Sequence, residues 1–334
     1  MPYKDILGQE QAIDHLKNAV DTNRMHHALL FTGQRNIGKF KTAVALAQKL
    51  NCIKIADDAC GECDFCIQIA EQNFLDFQVV IPEGKIIKID QIRKSLNWLK
   101  LFPDKAKKRV MIIDGAERLG REAANAFLKT LEEPSPNTLL IIIAESKKNI
   151  PETIVSRCQQ IRFNPLSQDI CENILHQNTE LTSARINLLN SFGMGSINYD
   201  SDLRVDIMEK VQENTLEWLE KLNEENLQKI LRMCEKWGKS KNEEWHFMLD
   251  FLETWFRDLA WIHHSLPLEK VINGRINSEY DRISSLRKSA EFFNLQQIDE
   301  LFGHILESRR AIQMNANKSL TLESLCLQIY RTAT

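Results

Sequence analysis

Strand-like and helix-like patterns alternate through the first half of the chain and then give way to helix alone. Short runs rich in β-branched residues and leucine fall at 28–31, 77–81, 110–113, 139–143 and 160–163, and they predict five strands. Between them, at 8–21, 39–50, 91–101 and 121–133, apolar residues recur at three- and four-residue spacing, the period of an amphipathic helix. Strand alternating with helix implies a parallel sheet covered on both faces. The run Leu139-Leu140-Ile141-Ile142-Ile143 is apolar without alternation, which marks a central strand with no wet face. After Pro165 the strand signals stop. Residues 169–198 carry two short helical patterns that end in a turn at Gly193 and Gly195, and from Arg204 amphipathic helix continues almost to Thr334. The expected fold class is α/β, with a parallel sheet of about five strands, followed by a small helical domain and an all-α domain. The expected boundaries are 1–165, 166–203 and 204–334, with the polar stretch at 198–202 as the best linker candidate.

Composition narrows the function classes. The chain has 334 residues, 43% hydrophobic and 27% charged, as in ordinary globular proteins with a sizeable core. A net charge of −3 argues against a protein that neutralises phosphates along a stretch of nucleic acid, so any DNA contact is expected to be local. Neither an export signal nor an apolar run of membrane-spanning length is visible, and the expected location is cytoplasmic with no membrane partner. Of eight cysteines, Cys158, Cys171, Cys234 and Cys326 stand singly and read as buried free thiols.

Directly after the first predicted strand comes Gly33-Gln34-Arg35-Asn36-Ile37-Gly38-Lys39, followed by a helix. This is the strand, loop and helix context of a phosphate-binding loop: Gly33 and Gly38 let backbone amides converge on phosphate oxygens, and Lys39 reaches the β- and γ-phosphates. The next residue is Phe40, where an active loop carries a Ser or Thr hydroxyl for Mg²⁺, and a phenyl ring cannot ligate a metal. A second element, Val110-Met111-Ile112-Ile113-Asp114, is a strand that ends in an acid suited to a metal shell. It is followed by Gly115, which has no side chain to polarise water; Glu117, two residues on, reads as a solvated charge. The nucleotide site is thus expected to be degenerate, with ATP binding doubtful and Mg²⁺ binding not expected.

Ala123-Ala124-Asn125-Ala126-Phe127-Leu128-Lys129-Thr130-Leu131-Glu132-Glu133-Pro134 is, as physics, only a closely packed helix ended by proline. The string nonetheless closely resembles the signature of the bacterial clamp-loader subunits, an AAA+ family comprising the delta-prime and gamma/tau types. It stands at the right distance from Asp114 and from Ser156-Arg157-Cys158, and the match runs from Ile6-Leu7-Gly8-Gln9 to Phe163-Asn164-Pro165-Leu166-Ser167, across the whole first domain. The resemblance implies that Arg157 projects as an arginine finger into the ATP site of a neighbouring subunit, with Ser156 orienting the backbone beside it. A guanidinium is permanently charged and presents a planar fork of donors, which suits charge spreading over γ-phosphoryl oxygens. Without the motif, Arg157 reads first as a structural arginine that caps the next strand or pairs with a carboxylate, and the motif reverses that order.

Cys52, Cys60, Cys63 and Cys66 form C-x7-C-x2-C-x2-C. Four thiolates can enclose a tetrahedral Zn²⁺ with no open position, a structural site, and a segment with so little apolar content as 56–59 needs a metal to hold its shape. Free thiols and iron–sulfur ligation are the other readings, and a disulfide framework fits a reducing compartment poorly. The resembling family carries a similar insertion, with slightly different first spacing.

In that family the second domain is a lid that often carries Gly-Ser and, two residues later, a nucleotide-sensing arginine; here Gly195-Ser196 is followed by Asn198. The third domain resembles the delta-prime collar in two helices, at 251–259 and 315–325. Its aromatic stripe of Trp255, Phe256 and Trp261 reads as core rather than partner surface. Loss of a magnesium hydroxyl and of a water-activating glutamate, with the trans-acting arginine kept, favours the delta-prime type over gamma/tau. The implied role is a non-hydrolysing stator within the DNA polymerase III holoenzyme. Its implied partners are gamma/tau and delta subunits and, through the complex, the sliding clamp and primer-template DNA. Two other readings stay open: an active gamma/tau-type ATPase in which Thr42 replaces the missing hydroxyl, and a zinc-dependent nucleic-acid-binding module, which salt-sensitive DNA binding by the isolated chain would reveal.

Overall fold

The computed structural model describes residues 2–54, 57–84, 86–178, 186, 189, 202–220, 222, 227–240, 244–267, 271, 273, 282–314 and 316–333. The expected turn at Gly193–Asn198, the sensor position Asn198 and, apart from Asp202, the linker at 198–202 lie outside these residues. By internal contacts the chain divides into two compact units, one running to Cys171 and the other beginning at Glu172.

The first unit is built on a five-stranded, all-parallel sheet in the order β2-β3-β4-β1-β5. The strands are β1 (Ala28–Thr32), β2 (Phe77–Val80), β3 (Arg109–Asp114), β4 (Thr138–Ala144) and β5 (Gln159–Arg162). All seven residues of β4 are buried, and the strand sits between β3 and β1, as its unbroken apolar run predicts. Each fully buried Leu or Ile there contributes roughly 1.5–3 kcal/mol relative to exposure. Helices α1 (Glu10–Asp21), α2 (Lys39–Asn51), α4 (Ile89–Leu99) and α5 (Arg121–Glu132) occupy the predicted positions. Two ends differ. α1 starts at Glu10 rather than Gly8, because Gly8 has φ +78° and an added Cβ there would lie 2.6 Å from Leu166. α4 stops at Leu99, because the backbone N–H groups of Asp104, Lys105 and Ala106 turn back to the buried Asp76 carboxylate. That carboxylate also accepts from Arg109 at 2.6 and 3.0 Å, and the Arg109 guanidinium lies over the Trp98 ring.

A short helix not predicted from sequence, α3 (Asp64–Ala70), carries the last cysteine of the cluster and packs on α2. A short α6 (Glu152–Val155) precedes β5, and α7 (Gln168–Asn178) spans the division between the units.

The second unit is all-helical among the described residues, with α8 (Asp202–Glu220), α9 (Leu227–Lys239), α10 (Glu244–His263), α11 (Arg282–Phe292), α12 (Leu295–Gln313) and α13 (Lys318–Ala333). α10 is its central helix: Phe251, Trp255, Phe256 and Leu259 are fully buried. Of the aromatic stripe, Trp255 and Phe256 are therefore core, while Trp261 is half-buried and donates through Nε1 to the Pro267 carbonyl. Arg309 ties α12 to α10 through Asp250 (2.7 Å) and Glu253 (2.9 Å).

Candidate functional site

The phosphate-loop sequence sits where the order of parallel strands places ligands, at the carboxyl end of β1 between β4 and β5. Gly33 and Gly38 have φ +148° and +100°, and Asn36 is also left-handed at +54°. A Cβ on Gly33 would meet the Phe163 carbonyl oxygen at 2.6 Å, so glycine is the residue that lets the loop close against the end of β5. Gln9 supports the loop from below: its buried side-chain amide donates to the carbonyls of Ile37 (3.0 Å) and Asn164 (2.8 Å). Gln9 belongs to the family match, but nothing in its local sequence marks it as a site residue.

Lys39 opens α2 and is buried. Its ammonium donates to the Gly33 carbonyl at 2.7 Å and also to that of Gln34. Burial lowers the Lys39 pKa from its ordinary value, and the negative charges of Asp114, Glu145 and Glu117 oppose that shift. Asp114 closes β3 beside it; burial raises its pKa, and Lys39 pulls it back. Around this cradle stand two carboxylates that sequence reasoning does not place there. Glu145, just past β4, pairs with Arg35. Glu117 is expected from sequence to be a solvated charge, but its side chain is only 15% exposed, lies 3.8 Å from Arg35, and has one buried oxygen without a hydrogen-bond partner. The parallel strands bring together at the cradle residues as far apart as Arg35 and Glu145, a proximity that no local pattern reveals.

The residues that would complete a magnesium site do not gather here. Phe40 occupies the hydroxyl position and is half-buried. Thr42 has no solvent exposure, and its hydroxyl donates to the Gly38 carbonyl at 2.9 Å inside the first turn of α2. Gly115 has φ +79°, a left-handed backbone that disfavours any L side chain at the expected position of the water-activating acid. Of the positions that hold a metal in an active loop, only Asp114 is supplied among the described residues, and the Lys39 ammonium is bonded to the loop's own carbonyls.

Arg157 follows α6 and is partly exposed. Its Nε and Nη2 both donate to Glu132 Oε1, at 3.1 and 2.7 Å, and its Nη1 donates to the Thr153 carbonyl (3.0 Å). Ser156 adds its hydroxyl, which lies 3.4 Å from Nη1 and donates to Thr153 at 3.3 Å. Arg157 thus has the carboxylate partner that a structural arginine would have, and it also stands at the surface of the first unit.

The sulfurs of Cys52, Cys60, Cys63 and Cys66 all lie within 4.8 Å of one another, and Cys60 and Cys66 are 3.8 Å apart. Zn–S bonds of about 2.3 Å in a tetrahedron place sulfurs about 3.8 Å apart. The Cys63 amide donates to Cys60 Sγ at 3.2 Å. The donor set and its compactness therefore fit a four-coordinate metal ion. The module is anchored at both ends of its surroundings. Gln48 of α2 donates to the Cys66 carbonyl at 2.6 Å, and Asp58 accepts from the amide of Tyr3.

A parallel β-sheet with a glycine-lined loop after β1, an acid ending β3 and an all-helical C-terminal region defines an α/β protein of the AAA+ class. Residues 8–167 match the family described as DNA polymerase III, delta subunit. Over 338 residues it is 26% identical to DNA polymerase III subunit delta′ of Bacillus subtilis, covering 96% of each chain. Over 176 residues it is 35% identical to subunit tau/gamma of Haemophilus influenzae, covering 52% of this chain and 25% of that one. A solved gamma-subunit-related protein of Thermotoga maritima aligns with 97% of this chain and 100% of its own at 16% identity, with a TM-score of 0.45. The chain spans about a quarter to a half of the tau and gamma relatives it matches. Among the described residues, no helix is long and apolar enough to cross a membrane.

Proposed function

We propose that this chain is a delta-prime-type subunit of a DNA polymerase III clamp loader, a non-hydrolysing stator that supplies Arg157 in trans to a gamma/tau ATP site. The observation that carries the reading is an asymmetry. Its own cradle lacks the magnesium hydroxyl at Phe40 and the acid at Gly115, and Thr42, the one nearby substitute, has its hydroxyl bonded to Gly38. Arg157 meanwhile is held at the surface by Glu132 and Thr153. In a neighbour's site that guanidinium would stabilise charge developing on the γ-phosphoryl oxygens, an effect of about 10³- to 10⁵-fold for arginine fingers. Lys39, Gly33, Gly38 and Asp114 would hold a nucleotide, if at all, without turning it over.

In this reading residues 166–203 form the lid and 204–334 the collar, which joins the chain to gamma/tau and delta subunits in a head-to-tail, heterologous assembly. The sliding clamp and primer-template DNA are reached through that complex, and the compartment is the cytoplasm. The ion in the four-cysteine module is Zn²⁺, whose structural role follows from a closed all-thiolate shell. The test is ATP hydrolysis measured for the chain alone and for the complex reconstituted with a gamma/tau subunit, delta, clamp and primed DNA. The isolated chain should be silent, and the complex active in a way that depends on Arg157. Robust turnover by the isolated chain would instead mean an ATPase.

A further inference from the structure

We infer that Glu132 is a positioning residue for Arg157: it sets the direction of the guanidinium that the chain offers to a neighbouring subunit. This rests on the arginine-finger reading above and adds a residue to it.

Glu132 is the last residue of α5, followed by Glu133 as the cap. Acidic side chains are disfavoured there, because the carbonyl end of a helix carries partial negative charge. Local helix chemistry therefore gives no reason for a carboxylate at this position, and a specific partner must supply one. That partner is Arg157, which is 25 residues further along the chain. One oxygen, Oε1, accepts from both Nε (3.1 Å) and Nη2 (2.7 Å), so the edge of the guanidinium is gripped at two points and its plane is fixed. On the other side, Nη1 reaches the Thr153 carbonyl at 3.0 Å and approaches the Ser156 hydroxyl at 3.4 Å. These contacts use Nε, Nη1 and one N–H of Nη2. The second Nη2 N–H is without a partner among the described residues and is available to a phosphoryl oxygen.

The pair is half in solvent, with the Arg157 side chain 37% exposed and that of Glu132 53%. Exposed ion pairs of this kind add little to stability, so folding alone does not account for the arrangement. Its value lies in orientation: a flexible arginine spends most of its time in rotamers that miss the target, whereas one held at both edges meets the phosphate with its geometry already set. Since the finger acts on the transition state, loss of its positioning should lower kcat more than it changes KM.

The experiment is steady-state ATP hydrolysis by the complex reconstituted with a gamma/tau subunit, delta, clamp and primed DNA. It compares the wild-type chain with Glu132→Ala, Glu132→Gln, Arg157→Ala and the double variant Glu132→Ala/Arg157→Ala. Glu132→Ala should lower the Arg157-dependent part of kcat on the order of tenfold with little change in KM. Glu132→Gln keeps an acceptor and should recover part of that loss. In the Arg157→Ala background, Glu132→Ala should have no further effect, the non-additivity expected of residues that act as one unit. Thermal melting of each isolated variant checks that folding is unchanged. Wild-type kcat in Glu132→Ala, an increase in rate, or additive losses in the double variant would each overturn the inference while leaving the finger in place. No effect of Arg157→Ala would remove the finger itself, a different failure and separately readable.

Discussion

The Thr42 hydroxyl donates to the Gly38 carbonyl at 2.9 Å, and Thr42 has no exposure to solvent. The hydroxyl closest in sequence to the missing magnesium ligand is thereby held on the backbone of its own helix and away from solvent.

Restoring one ligand should therefore not restore chemistry. Phe40→Ser or Phe40→Thr is expected to leave the isolated chain without measurable ATP turnover, since no acid follows Asp114. Adding Gly115→Glu introduces a side chain at φ +79°, with strain of roughly 1–2 kcal/mol, and should lower the melting temperature. A coupled-enzyme ATPase assay and a thermal melt check both outcomes. Turnover in Phe40→Ser alone would show that the lost hydroxyl was the only barrier.

Metal analysis addresses the cysteine module. The purified chain should carry about one zinc ion, as a closed four-thiolate site requires. Cys66→Ser should lose it, whereas Cys158→Ser, outside the cluster, should keep it. Burial pushes the Cys158 thiol up to about 12, so it should also resist alkylation at neutral pH until the chain is unfolded. Removal of the ion should loosen the N-terminal segment as well, because Asp58 of the module accepts from the Tyr3 and Lys4 amides. Faster amide exchange at residues 3–6 after chelation would report this.

Asp76 and Arg109 form a fully buried pair at the start of β3. Truncating one partner leaves the other charged and unpaired, so Arg109→Ala should destabilise the chain by about 3–5 kcal/mol in denaturant titration. Burial alone raises the Asp76 pKa, but the amides of Lys105, Asp104 and Ala106 together with the Arg109 guanidinium outweigh it and hold the carboxyl below its ordinary value. A depressed folded-state pKa gives stability that is present above the unfolded pKa of about 3.9 and is lost as pH falls through the folded value. Asp76→Asn should therefore flatten the acid limb of the stability curve below about pH 4. An unchanged acid limb would contradict this account.

Gln9 should matter more than its place outside the motif implies. Gln9→Ala removes donors from the Ile37 and Asn164 carbonyls in a buried position, at a loss of about 1–3 kcal/mol in a thermal or denaturant melt.

Local pattern carries the sheet. Strands β1, β3 and β4 are buried on both faces, and such strands must be continuous apolar runs, so their positions are legible from the order of residues alone. The defects at Phe40 and Gly115 are equally visible, since each is a missing side chain at a fixed offset within a motif. What escapes is whatever depends on distant residues. Helix α3 is seven residues long inside a cysteine insertion, and its position rests on contacts with α2 rather than on its own periodicity. Leu101 continues a helical apolar pattern, yet α4 has already ended, because Asp76, far back in sequence, claims the following amides. The carboxylates of Glu117, Glu132 and Glu145 look like ordinary surface charges in sequence. Only the fold brings Glu132 to Arg157, and Glu117 and Glu145 to Arg35.

The most direct test of the trans-acting role is ATP hydrolysis by the reconstituted complex with and without the Arg157 guanidinium, beside the isolated chain. The account predicts no turnover by the chain alone and, in the complex, loss of the Arg157-dependent share of turnover in Arg157→Ala by about 10³-fold or more, with assembly intact. Wild-type turnover in the Arg157→Ala complex, or robust hydrolysis by the isolated chain, would contradict it.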